Sequence, residues 1–264
     1  QNGIDCSGHG THVAGTIGGK THGVAKKVQI VGVRVFDHCH ETYQGISSDV
    51  IAGVNWVTEN AVLPAVANMS LKSTNPSLDK AVRKSIAKGI VYVVAAGNDD
   101  KDANNISPAR VREAITVGAT DHEDRRASFS NYGAALDLFA PGVDILSAGI
   151  GSDTATRIIS GTSMAVPHVA GVAALYLEAY PAMAPADVQR KIVADATSGL
   201  VTDIKGSPDK LLFLGLLPRP PAPEPVPPPP PPVPEPVPPP PSPPQEGRWG
   251  PGYMKWGPGY GKWR

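Results

Sequence analysis

In the stretch Gly161-Thr162-Ser163-Met164-Ala165-Val166-Pro167-His168 a serine stands between a short strand pattern and a long apolar run. Arg157 to Ser160 reads as the strand. Val169, Ala170, Val172, Ala173, Leu175, Tyr176 and Leu177 are apolar nearly all round, which predicts a buried helix. Ser163 then lies at the helix's amino end, where unpaired backbone N–H groups and the positive end of the dipole stabilise an oxyanion. Such a serine can be a nucleophile for acyl transfer, although by itself a helix-capping serine is the more ordinary reading. Pro167 is expected in the first turn, where no amide donor is missed. Two further stretches set polar residues among small ones: Asp5-Cys6-Ser7-Gly8-His9-Gly10-Thr11-His12-Val13-Ala14-Gly15-Thr16, and Ala95-Ala96-Gly97-Asn98.

The elements that must position these residues alternate between strand and helix. Val28 to Phe36 and Ile90 to Val94 are the near-continuous apolar runs that parallel strands buried on both faces require. Between them Ser47 or Ser48 can cap a helix carrying Val50, Ile51, Val54 and Val57. A second stripe, Leu78, Ala81, Val82 and Ile86, is ended by Gly89. The pattern predicts an α/β fold: a doubly wound, mostly parallel sheet with helices on both faces. Chemistry in such sheets gathers where loops leave the carboxyl ends of strands, and Asn98 falls there. Gly10, Ala14 and Gly15 would let the helix that begins near His9 pack closely against a neighbour.

The three stretches, in the order His, Asn, Ser, resemble the signatures of the subtilisin-like serine proteases over residues 1 to about 217. The cysteine placement and Asp124-Arg125-Arg126-Ala127-Ser128-Phe129-Ser130-Asn131-Tyr132-Gly133 are most similar to the proteinase K and aqualysin branch. The resemblance implies a serine endopeptidase acting on polypeptides without a catalytic cofactor. Ser163 would attack, His9 would act as general base and then acid, and the Asn98 amide would hold the oxyanion with the Ser163 N–H. His12 and His168 are expected to be structural. The family's third triad member is an aspartate on a strand well upstream of the histidine. Only Asp5 precedes His9, and it is expected to make local hydrogen bonds instead, so the aspartate, its strand and any inhibitory pro-segment are expected before Gln1. The residues given would then be nearly inactive alone. A catalytically inactive, protease-like binding module is the alternative.

The resemblance also implies that an extended substrate pairs with backbone around Gly45 and Ile46 and around Ser70 and Leu71, with Ala95, Ala96 and Gly97 lining the primary pocket. Lys72 stands where relatives have glycine; it either charges the cleft rim or, more simply, points into water. Cys6 and Cys39 match a family disulfide, whose loop of roughly 34 residues is worth about 3–4 kcal/mol on the chain-entropy model. Such a bond suits an extracellular or vacuolar protein. Asp137 matches a position that binds structural calcium together with two backbone carbonyls, here those of Arg112 and Ala114. Zinc would need Cys6, His9, His12, His38, Cys39 and His40 in a spacing that fits no recognised site. His38 and His40 themselves have no functional account.

The chain has 264 residues and a formal net charge of +0, which argues against nucleic acid as the main partner. Of its 29 prolines, 21 lie from Pro218 onward. The sequence therefore divides into a peptidase-like domain (1–217), a proline-rich linker (218–247) and a basic aromatic tail (248–264). Within the linker, Pro218 to Pro244 is expected to be a disordered polyproline II spacer of up to about 80 Å. The tail repeats Trp-Gly-Pro-Gly-Tyr-x-Lys, leaving Trp249, Trp256 and Trp263 beside cations. Such groups suit polyanions or glycans, and the prolines suit proline-reading domains. No apolar run is long enough for a transmembrane helix.

Overall fold

In the computed structural model, which describes residues 4–36, 47–215 and 217, the elements are α1 (His9–Gly18), α2 (Ser47–Asn60), β1 (Val66–Met69), α3 (Pro76–Ile86), β2 (Val91–Ala95), β3 (Ile115–Thr120), β4 (Leu138–Pro141), β5 (Ile145–Ala148), β6 (Thr156–Ile159), α4 (Thr162–Ala179) and α5 (Pro185–Asp195). Strands β1 to β4 pair in sequence order, every pair parallel. Side-chain alternation divides β2 between two cores. Val91, Val93 and Ala95 meet α4 and α5, while Tyr92 and Val94 meet α2 and α3 through Val50, Val54, Leu78 and Val82. A strand packed on both faces cannot afford a polar position, which is why this run is apolar throughout. The one polar atom there, the Tyr92 hydroxyl, donates to Ser85 Oγ at 2.8 Å.

Helices cover both faces of the sheet, as expected. The α3 boundaries follow from local chemistry: Asn75 Oδ1 caps the helix by accepting from the Ser77 N–H, and Pro76 occupies the first turn. Gly89, at φ 97°, turns the chain out of the helix's last turn and into β2. The apolar helix α4 crosses all four parallel strands and buries Met164, Val166, Val169, Val172 and Tyr176.

Two local expectations are corrected, and a third element forms as expected but outside the main sheet. Val28 to Phe36 is not a strand: it has no assigned secondary structure, and Ile30, Val31 and Val33 are 44%, 62% and 36% exposed. A strand exists only when its backbone groups find a partner, and none of the described strands runs alongside this segment. The strand predicted at 157–160 forms as β6, but it pairs antiparallel with β5 in a separate hairpin. Pro167 lies inside α4, five residues after its first residue, and its missing N–H leaves the Ser163 carbonyl without its helical donor.

Candidate active site

Asp5 organises the approach to His9. Its Oδ1 accepts from the Ser7 N–H, the Ser7 hydroxyl and the Gly8 N–H, and its Oδ2 from the Thr11 N–H and hydroxyl, both at 2.7 Å. Gly8 (φ 79°) caps α1 without a side chain of its own, so the carboxylate serves the helix's orphan donors. Burial alone would raise the Asp5 pKa, but the Thr11, Gly8 and Ser7 donors outweigh it and hold the group at about 2. With both oxygens engaged, Asp5 makes the local bonds the sequence predicts.

His9 is the first residue of α1, and that helix packs on α4, which carries Ser163. The glycines act more specifically than expected. A Cβ on Gly15 would lie 2.6 Å from Ser147 Oγ and 2.7 Å from Ala148 Cβ, so its close approach is to β5, whereas Gly10 faces the Asp5 carboxylate. Burial lowers the His9 pKa, against the opposing field of Asp5. His12 is fully buried. Its Nε2 lies 2.8 Å from the Ile145 carbonyl and 3.1 Å from that of Arg157. Carbonyls only accept, so Nε2 carries the hydrogen and His12 ties α1 to the β5–β6 hairpin. His168 bonds through Nδ1 to the Met164 carbonyl at 2.8 Å, and burial depresses its pKa. Both histidines are structural.

Ser163 is the second residue of α4. Its carbonyl, freed by Pro167, accepts from Ser70 Oγ at 2.9 Å, and its own hydroxyl donates to the Ser70 carbonyl at 3.3 Å. Ser70 follows directly on β1, so this reciprocal pair joins the helix that carries Ser163 to one expected substrate-pairing segment. The second joint is Asn98, just past the carboxyl end of β2. Its Oδ1 accepts from the Thr162 N–H and hydroxyl, each at 2.8 Å. With the oxygen so fixed, Nδ2 is the free-facing donor end and lies beside Gly161, 3.6 Å from where a Cβ would stand.

Ala95, Ala96 and Gly97 run buried from the end of β2 to Asn98. Gly97 has φ 104°, and a Cβ there would meet Asn131 Nδ2 at 2.4 Å. Asn131 is the residue that sequence reading does not single out, although it lies within the stretch quoted for the branch resemblance. Wholly buried, it donates from Nδ2 to the Ala96 carbonyl at 2.8 Å and accepts through Oδ1 from the Asp99 and Lys101 N–H groups. One side chain thus holds both sides of the Asn98 turn. Lys72 does not simply point into water: its Nζ lies 2.5 Å from Asp99 Oδ2, bridging the loop after β1 to the loop after β2.

Leu71 follows Ser70 and is half-buried. Gly45, Ile46, His38, Cys39 and His40 lie outside the described residues, as do the linker and tail. Cys6 is disulfide-bonded. Asp137, just before β4, accepts from the Thr116 N–H at 2.7 Å through Oδ2. Burial pushes its pKa up to about 6, against the pull of the Thr116 and Gln189 donors. The oxygens expected to hold calcium are the right kind, and they do converge. The point they face, however, is taken by the side-chain nitrogen of Gln189, so the cluster as it stands does not fit an ion.

Residues 28–36 and β1 both line a cavity of about 1430 Å³. Val31, Val33, Val35, Val66, Asn68 and His9 are among its lining residues. On the edge away from β2, β1 has no strand partner among the described residues.

A parallel α/β sheet with helices on both faces, and a hydroxyl and an amide gathered where β1 and β2 end and α4 begins, defines the architectural class. Within that class the chain belongs to the subtilase family (peptidase S8), whose sequence profile matches residues 1–211. It is 57% identical over 211 residues to an extracellular serine proteinase of Thermus sp. (strain Rt41A), covering 79% of this chain and 51% of that protein. It is 53% identical to alkaline serine exoprotease A of Vibrio alginolyticus, covering 79% of this chain and 38% of that one. The crystal structure of a cold-adapted subtilisin-like serine proteinase superposes with a TM-score of 0.77 at 51% identity, over 80% of this chain and 76% of that one. The chain spans about half the length, or less, of these two curated relatives. Among the described residues no helix is long and apolar enough to cross a membrane.

Proposed function

We propose that this chain belongs to a secreted serine endopeptidase that cleaves polypeptides through an acyl-enzyme on Ser163. The carrying observation is the Asn98–Thr162 joint, which fixes Asn98 Oδ1 and leaves Nδ2 as a donor beside the amino end of α4. An amide so held costs no reorganisation when negative charge develops on the carbonyl oxygen, and the Ser163 N–H supplies the second donor. His9, kept neutral near pH 7 by burial, is in the protonation state a general base requires. It takes the Ser163 proton during attack and returns it to the leaving amine. Ser70 and Leu71, with Gly45 and Ile46 opposite, would pair with the substrate backbone, and Ala95, Ala96 and Gly97 would form the pocket for one side chain.

Asp5 cannot orient His9 while all its lone-pair directions serve Ser7, Gly8 and Thr11. On this reading the third triad carboxylate would come from a further strand seated beside β1, in the cavity that β1, residues 28–36 and His9 all line. Without that carboxylate, turnover would fall by roughly 10⁴, the scale given by the general serine-protease template. An extracellular or vacuolar location, and a pro-segment as inhibitor, follow from the same family reading. A binding module without activity is the second reading, favoured by the Ser163 hydroxyl donating to the Ser70 carbonyl. A fluorophosphonate probe separates the two. A chain extended by its preceding coding sequence should be labelled, and Ser163→Ala should abolish the labelling. A folded, extended protein that resists the probe would leave only the binding module.

A further inference from the structure

We infer that Gln189 is a built-in substitute for a cation, tying α5 to the sheet by an amide where a divalent ion would otherwise sit. From α5, Gln189 Nε2 lies 3.0 Å from the Arg112 carbonyl oxygen, 3.2 Å from that of Ala114 and 3.0 Å from Asp137 Oδ1. The three oxygens come from two places in the chain, the turn entering β3 and the residue before β4. They share no hydrogen bond with one another, since all three only accept.

An amide nitrogen has two hydrogens, so it cannot satisfy three acceptors with full, linear bonds. A small hard cation can, because it draws oxygens in from every side at about 2.3–2.6 Å. The cluster is therefore a cation's coordination shell serviced by a neutral donor. Asp137 keeps its other oxygen on the Thr116 N–H, so the carboxylate is aimed whether or not an ion is present. What the amide gains over an ion is permanence: it is tethered to α5, whose Val188 and Ile192 are buried on either side of it, and it cannot be chelated away.

The amide and an ion compete for one position, and this decides the experiment. Calcium is the probe, added to about 10⁻³ M against EDTA, and the readout is the thermal midpoint of the full chain. The wild type should give the same midpoint in both. Gln189→Ala removes the nitrogen but leaves all three oxygens, so its midpoint should drop in EDTA and rise with calcium on the order of 5 °C. Gln189→Glu keeps the side-chain length and sets a carboxylate against three oxygens, so it should depend on calcium more strongly still. A wild-type midpoint that rises with calcium as much as that of the variants overturns the substitution, because the amide then yields to the ion. Variants that fold but ignore calcium also overturn it. Should neither variant fold, the wild type decides alone: an unchanged midpoint supports the substitution, and a rise refutes it.

Discussion

Asn131 holds the turn that carries Asn98, and its contribution is measurable. Asn131→Ala removes one donor and one doubly used acceptor. The Ala96 carbonyl is left buried without a partner, while the Asp99 and Lys101 amides, on exposed residues, can turn to water. An unsatisfied buried group costs about 1–3 kcal/mol, so the variant should lose roughly 2–3 kcal/mol in urea unfolding. A loss below about 1 kcal/mol would mean that water replaces the side chain and that the turn holds itself. At this scale Ser163, His9 and Asn98 stand out in the sequence as candidates because each lies in a long stretch of small residues. Asn131 was not: a buried asparagine and a surface asparagine look alike until the carbonyl it meets, 35 residues earlier, is brought to it by folding. The role of Gln189 was hidden for the same reason, since backbone oxygens leave no trace in side-chain identities.

Among the elements, α1 has its entry held by a single carboxylate, Asp5. The Asp5 pKa is lowered from 3.8 to about 2. A carboxylate depressed in the folded state adds stability that is fully present above its unfolded pKa and is lost as pH falls through the folded one. The stability gap between wild type and Asp5→Asn should therefore be constant above about pH 5 and close between pH 4 and pH 2. Thermal unfolding across that range tests this; a gap that stays open at pH 2 would assign the effect to packing rather than charge. Helix α4 shows why boundaries are harder to read than elements. Its apolar residues predict it well, but the place of Pro167 within it depends on Ser70, on another strand's loop, being there to receive the carbonyl that the proline frees. The sequence shows the proline as a helix start because it contains no sign of that tertiary donor.

At the scale of the molecule, the segment 28–36 separates what pattern predicts from what pairing permits. Its composition is that of a central strand, yet Ile30 and Val31 are 44% and 62% exposed, and the segment lines a cavity of about 1430 Å³ together with β1. A strand fully buried in a parallel sheet needs a neighbour on each edge, so this run is written for a fuller sheet than the described strands make. Hydrogen–deuterium exchange reads this directly. In the 264-residue chain, amides of residues 29–36 should exchange at close to the rates of an unstructured peptide, while those of β2, paired on both sides, should be among the slowest. In a chain extended by its preceding coding sequence, residues 29–36 and the outer edge of β1 should become protected together, because one inserted strand would pair with both. Protection of 29–36 in the shorter chain would mean that it has found another partner. Exposure in the longer one would mean that the cavity is not a strand's place, and the source of the third catalytic group would have to be sought elsewhere. Joint protection appearing with fluorophosphonate reactivity at Ser163 would tie completion of the sheet to completion of the site, as expected if the inserted strand carries the third triad carboxylate.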